Sequence, residues 1–198
     1  DGIYESWLLA TSFHDFAYPI QKYDDWSVKF LKDSLSIEHC EPLGLKETYV
    51  ENSFASRIEI FLSEIDSCIS CNSNRVEVLN WIRCFFYHQI TDEKNHAIIS
   101  GLTLLGKFKN KHKLTKKVLP ASVAICLHDD DIWQTLHGHC NEKVELIKWP
   151  KDSKDNLDKL LKAKSLKNLD FSNHSLAFLL LLCDNIQDWG RPFKDEKL

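Results

Sequence analysis

Three apolar runs in this chain each end in a side chain that can bind a metal, and few folds accept that arrangement three times over. Trp7 to Phe13 runs into His14-Asp15, Ala121 to Leu127 into His128, and Leu176 to Cys183 into Asp184. A helix apolar nearly all round has no solvent face, so these runs predict central helices of an all-α interior. A carboxylate buried alone after such a run must be paired, or it gives up its charge. A fourth apolar stretch, Ala97 to Leu105, begins directly after His96. Each of these polar groups has a bland alternative. His14 can cap a helix end, His96 and His128 can bond backbone carbonyls, and Asp184 can pair with Arg191. Those alternatives require four separate coincidences, whereas one metal site satisfies all the groups together.

Composition narrows the class. With 198 residues, 43% hydrophobic and 27% charged, the chain can bury one large core and is not of the disordered type. A net charge of −4 lacks the basic excess of a nucleic-acid-binding surface. No apolar run reaches the roughly 18 residues of a membrane span, and no signal-peptide pattern opens the chain. Seven cysteines without a secreted-type framework fit a reducing, cytoplasmic setting, with Cys84, Cys126 and Cys183 expected as buried thiols. Cys68-Ile69-Ser70-Cys71 lacks the second ligand pair of a zinc site, and His137, His139 and Cys140 match no zinc-ligand spacing. The chain contains no Met and opens in a helical pattern, as expected of a fragment lacking upstream residues.

Helical spacing recurs along the chain. It predicts amphipathic helices after Pro19 around Trp26, Phe30, Leu31 and Leu35, then over Arg57–Ile69 and Arg75–Ile90, with a loop or irregular crossing over 39–54. Thr91-Asp92-Glu93 reads as the start of the helix that carries His96. The basic segment 107–117 reads as a connection, and Pro120 as the first turn of the next helix. Residues 151–170 suggest an exposed short helix and loop. No strand-period alternation or internal repeat is visible. The expectation is a single all-α domain over 1–198, with a lobe over 39–90 added to its central helices.

The order His14-Asp15, His96, His128, Asp184 resembles that of the HD-domain superfamily of metal-dependent phosphohydrolases. Phe13-His14-Asp15-Phe16-Ala17-Tyr18-Pro19 is similar to its His-Asp motif. The run from Leu179 through Asp184 to Arg191 is similar to its last motif, in which an apolar helix ends in a metal-binding Asp. The resemblance spans positions 7 to 191 and is weak over 22–90, hence the reading of an inserted segment. It implies an HD-domain-like helical bundle holding one or two divalent metals (Mn, Fe, Zn, Co, Ni or Mg). His14, Asp15 and Asp184 would bind the main metal, Asp15 bridging to a second one held by His96 and His128. Asp15 would be catalytic, and Lys22, Gln187 and Arg191 are positional candidates for contacting substrate.

The sequence departs from the family pattern in two places. No His precedes His14 to supply the first family ligand, and Ala17 and Tyr18 stand where many members have Gly-Lys. The expected activity is hydrolysis of a nucleotide or other small phosphoester. Two alternatives stay open: a non-catalytic HD-like sensor or nucleotide-binding interaction module, and a helical scaffold whose His and Asp residues are structural.

Overall fold

The computed structural model describes residues 2–35, 47–66, 75–108, 112–136 and 174–189. They form α1 (Gly2–Phe13), α2 (Tyr18–Leu35), α3 (Glu47–Ile65), α4 (Arg75–Thr91), α5 (His96–Phe108), α6 (His112–Leu127), α7 (Asp130–Leu136) and α8 (Ser175–Trp189). None of the described residues lies in a strand, as an all-α chain requires. None of these helices is long and apolar enough to cross a membrane.

The centre is the pair α5 and α6. Between Ala97 and Leu105 every α5 side chain but Thr103 is buried, and in α6 every residue from Ala121 to Leu127 is buried. Helices covered this completely must have neighbours on several sides. α1 and α8 lie against α6, α2 against α5, and α3 and α4 pack on one another and on α5. The α5–α6 approach is set by Gly101. A Cβ there would lie 2.5 Å from Cys126 Sγ and 2.7 Å from the Ser122 carbonyl oxygen, so a side chain would force the helices apart. The α3–α4 contact is aromatic inside and ionic outside. Phe61 and Phe86 sit 4.7 Å apart in the core, and the Arg83 guanidinium grips both Glu59 oxygens at 2.6 and 2.9 Å on the surface.

Several sequence expectations need correction. α1 and α8 are peripheral rather than central. Only Ser6 and Ala10 of α1 are buried, whereas Ile3 is 75% exposed; among the described side chains of α8 only those of Ala177 and Leu180 are buried. An apolar run shows that a helix can be buried, but its small residues at helical spacing choose the single face that packs. Cys126 is buried as expected, but Cys84 and Cys183 are exposed. Helix α3 begins at Glu47, so 47–54 is helical rather than a crossing. Pro120 lies inside α6, whose first turn begins at His112 within the segment read as a basic connection. Thr91 ends α4, its hydroxyl donating back to the Tyr87 carbonyl, and the true cap of α5 is Asn95. The segment 137–173, with His137, His139 and Cys140, and the pair Cys68 and Cys71 lie outside the described residues.

The α4–α5 connection is a tight turn. Lys94 adopts a left-handed φ of 49°, and the Asn95 amide donates to the Gln89 carbonyl. His88, in the last turn of α4, lies between two carboxylates of this connection. Its Nδ1 is 2.6 Å from Asp92 Oδ2 and its Nε2 is 3.6 Å from Glu93 Oε1. Glu93 and Asp92 hold the His88 pKa above its usual value, against the burial that lowers it.

Two tests follow from the packing. Gly101→Ala should destabilise the fold by about 1–3 kcal/mol through overpacking, read by chemical denaturation, and an unchanged midpoint would contradict the close approach. The raised His88 pKa gives the second. Its stabilisation is full below the unfolded-state value of about 6.5 and fades as pH rises through the folded-state value. His88→Gln should therefore flatten the fall of melting temperature with rising pH over that window. An identical pH profile in the variant would rule out the clamp.

Candidate metal centre

The His-Asp pair sits in a turn that the backbone and α5 both hold. After α1, the His14 amide donates to the Ala10 carbonyl, Phe16 to Phe13, and Tyr18 to Asp15. The buried Ala17 amide then donates to Ser100 Oγ on α5 at 2.8 Å. Ser100 lies one turn beyond His96, so this bond fixes the His-Asp turn relative to a second ligand candidate. It also explains why position 17 is small, because Ala17 is buried against that helix.

Three imidazoles meet there. The His128 ring lies 5.5 Å from that of His14 and 5.4 Å from that of His96, edge-on to both. Each ring has its Nδ1 beside an oxygen acceptor: the Thr11 carbonyl for His14 at 2.9 Å, Gln21 Oε1 for His96 at 2.9 Å, and the Ile125 carbonyl for His128 at 2.6 Å. A carbonyl oxygen only accepts, so each Nδ1 carries a proton, and in a neutral ring Nε2 then presents a lone pair. A metal-binding histidine is oriented in this way by its outer partner. The Nε2 of His128 is fully buried without a hydrogen-bond partner.

Asp15 spans the other two rings. Its Oδ2 is 3.2 Å from His14 Nε2 and its Oδ1 is 3.6 Å from His96 Nε2, while its side chain stays 50% exposed. Lone pairs facing a carboxylate require positive charge between them, either a proton or a cation. Burial pushes the His96 and His128 pKa values below the usual imidazole range, against Asp129, Asp15 and Asp184 at His96 and against the Ile125 carbonyl and Asp184 at His128. The lowered proton affinity of His96 and His128 favours the cation over the proton. One ligand atom each from Asp15, His96 and His128 falls within 4.8 Å of the others, a spacing that fits a metal ion.

The structure thus gathers Asp15, His96 and His128 directly, with His14 against Asp15. Asp184 of α8 is half-buried, and its charge acts on both His96 and His128 from further off. Lys22 is exposed on α2, 3.7 Å from Asp25, with its ammonium 5.0 Å from the Tyr18 ring centroid. Tyr18 in turn stands edge-on to His96 at 5.4 Å, so one ring contacts both Lys22 and a candidate ligand. Arg191 and the side chain of Gln187 lie outside the described residues. Sequence reasoning missed Gln21, Ser100, Asn95 and Asp129. Gln21 and Ser100 carried no signal, being single polar residues in helical spacing. Asn95 and Asp129 did carry one, since each adjoins a candidate histidine.

No protein-family model matches the chain, and no curated protein or solved structure matches it.

The depressed imidazole pKa values predict the acid limit of metal binding. Loss of a divalent metal on acidification should have its midpoint below about pH 6.5, the ordinary imidazole value. A midpoint at or above that value, in a titration followed by equilibrium dialysis, would contradict the buried neutral rings.

Proposed function

We propose that this chain is a metal-dependent phosphohydrolase with an HD-domain-like helical bundle, acting on a nucleotide or another small phosphoester. The observation that carries the reading is the buried, partnerless Nε2 of His128, aimed among His14, Asp15 and His96. An orphaned buried acceptor costs about 1–3 kcal/mol, so its retention in a polar cluster calls for a ligand. The order of the clustered residues along the chain, with Asp184 on the last of the described helices, supports the HD-domain assignment.

A divalent metal bound here, among Mn, Fe, Zn, Co, Ni or Mg, would supply Lewis acidity toward phosphate oxygens and acidify a water. The residues of the chain supply the rest. His14, His96 and His128 hold lone pairs in place through their Nδ1 bonds, and Asp184 adds negative charge from the α8 side. Asp15 keeps one oxygen toward each of two rings and is half exposed, so it can accept a proton from an attacking water that enters from solvent. Lys22 remains cationic, its pKa raised by Tyr18 first and Asp25 next. It offers a positive group beside Tyr18, in partial replacement of the lysine that the family motif places after the His-Asp pair.

The test is metal content by elemental mass spectrometry on protein purified without a His-tag or chelator, followed by a phosphoester panel with Mn or Fe supplied. Bound metal with turnover, both lost by more than about 100-fold in Asp15→Ala and Asp184→Ala, is the expected result; it exceeds the usual cost of losing only a supporting hydrogen bond. Metal binding without turnover on any phosphoester would instead favour the sensor reading. Full activity in either variant would overturn the mechanism.

A further inference from the structure

Two of the clustered histidines sit beside residues that bond to each other. Asn95 precedes His96 and Asp129 follows His128, and Asn95 Nδ2 donates to Asp129 Oδ2 at 3.1 Å. The orientation of the Asn95 amide is fixed independently, because its Oδ1 accepts the Ile98 amide at 3.1 Å and so caps α5. Asp129 is tied in the same way, its Oδ1 accepting the Ile132 amide at 3.1 Å and capping α7. Asn95 is buried and Asp129 half-buried. Each residue thus uses one side-chain atom to start a helix and the other to hold its partner. The pair bridges the α4–α5 and α6–α7 connections, with a candidate ligand adjoining each end.

We infer that Asn95 and Asp129 form a positioning clamp that sets the separation and tautomers of His96 and His128. The α5–α6 packing fixes the helices, but both histidines lie at their ends, where a helix frays most readily. His96 is the first residue of α5, and His128 follows the last residue of α6. Without a tie between the two connections, each ring would depend on its Nδ1 bond alone. With it, the Gln21 and Ile125 oxygens meet rings whose backbone is already placed, and both Nε2 lone pairs converge. The metal consequence rests on the reading of the site as a metal centre; the effect on the rings does not.

Exchange of the two side chains tests the clamp, because each exchange keeps a cap. Asn95→Asp still accepts the Ile98 amide but sets carboxylate against carboxylate. Asp129→Asn still accepts the Ile132 amide but sets amide donor against amide donor. The double variant restores the bond with its polarity reversed and retains both caps. In metal-free protein, nitrogen-15 spectra of the imidazoles should show the Nδ1-protonated tautomer for His96 and His128 in the wild type. Mixed tautomers are expected in each single variant, with recovery in the double variant. Loss of capping alone would lower stability without this pattern of recovery. In parallel, the affinity for Mn(II) alone should fall 10–100-fold in each single variant and return in the double. Wild-type tautomers in both single variants, or no recovery in the double, would overturn the clamp. Tautomers that respond as expected in a wild type that binds no divalent metal would uphold the clamp and overturn the metal-centre reading instead.

Discussion

The close approach of α5 and α6 at Gly101 is the constraint on which the rest depends. Two helices that nearly touch along their backbones have little freedom to slide, because an interior packed to crystal-like density has no voids to absorb the shift. His96 begins one of these helices and His128 follows the end of the other, and their rings lie 5.4 Å apart. The remaining elements are arranged around that pair. α1 lies on α6 and carries the His14-Asp15 turn to its end, where Ser100 of α5 receives the Ala17 amide. α8 lies on α6 from another side and brings Asp184. The polar groups therefore gather at one end of a nearly apolar interior, and the packing rather than the polar groups decides where that end is.

The electrostatics of the cluster follow from this placement. Burial lowers the proton affinity of His96 and His128, while Asp129, Asp15 and Asp184 oppose it at His96 and the Ile125 carbonyl and Asp184 oppose it at His128. Neutral imidazoles surrounded by carboxylates leave a region of net negative potential that a proton fills poorly and a divalent ion fills well. Carbonyl and amide oxygens behind the rings settle which nitrogen faces inward. The bonds behind the rings thus come from uncharged oxygens, of Thr11, Gln21 and Ile125.

Much of the centre was legible in the sequence, because its signal was chemical incongruity. A His or Asp bordering an apolar run is conspicuous whatever the helix packs against, and that pattern marks Asp15, His96 and His128, which the structure brings together. The fold class was legible for the same reason, since helical periodicity survives without knowledge of neighbours. Which helix is central was not. The runs in α1 and α8 are as apolar as those in α5 and α6, but burial depends on how many partners a helix has, and no local pattern records that. The α5 cap was misplaced because Thr91-Asp92-Glu93 and Asn95 both offer capping chemistry. A left-handed residue at Lys94 decided between them. The supporting residues Gln21 and Ser100 were invisible because a hydrogen bond across 75 or 83 residues leaves no trace in spacing.

Helix α2 has a consequence of its own. None of its described side chains is buried, and Tyr23, Trp26 and Phe30 form a ladder of exposed rings along it, the last two stacked at 5.5 Å. Contacts that tie it to the histidines lie in its first turn and just before it: Ala17 to Ser100, Tyr18 against His96, and Gln21 to the His96 ring. The helix that carries this exposed aromatic ladder thus also carries Gln21, whose oxygen receives the proton on the outer nitrogen of His96. A displacement of α2 at its first turn would change that bond, and with it the tautomer that the ring prefers.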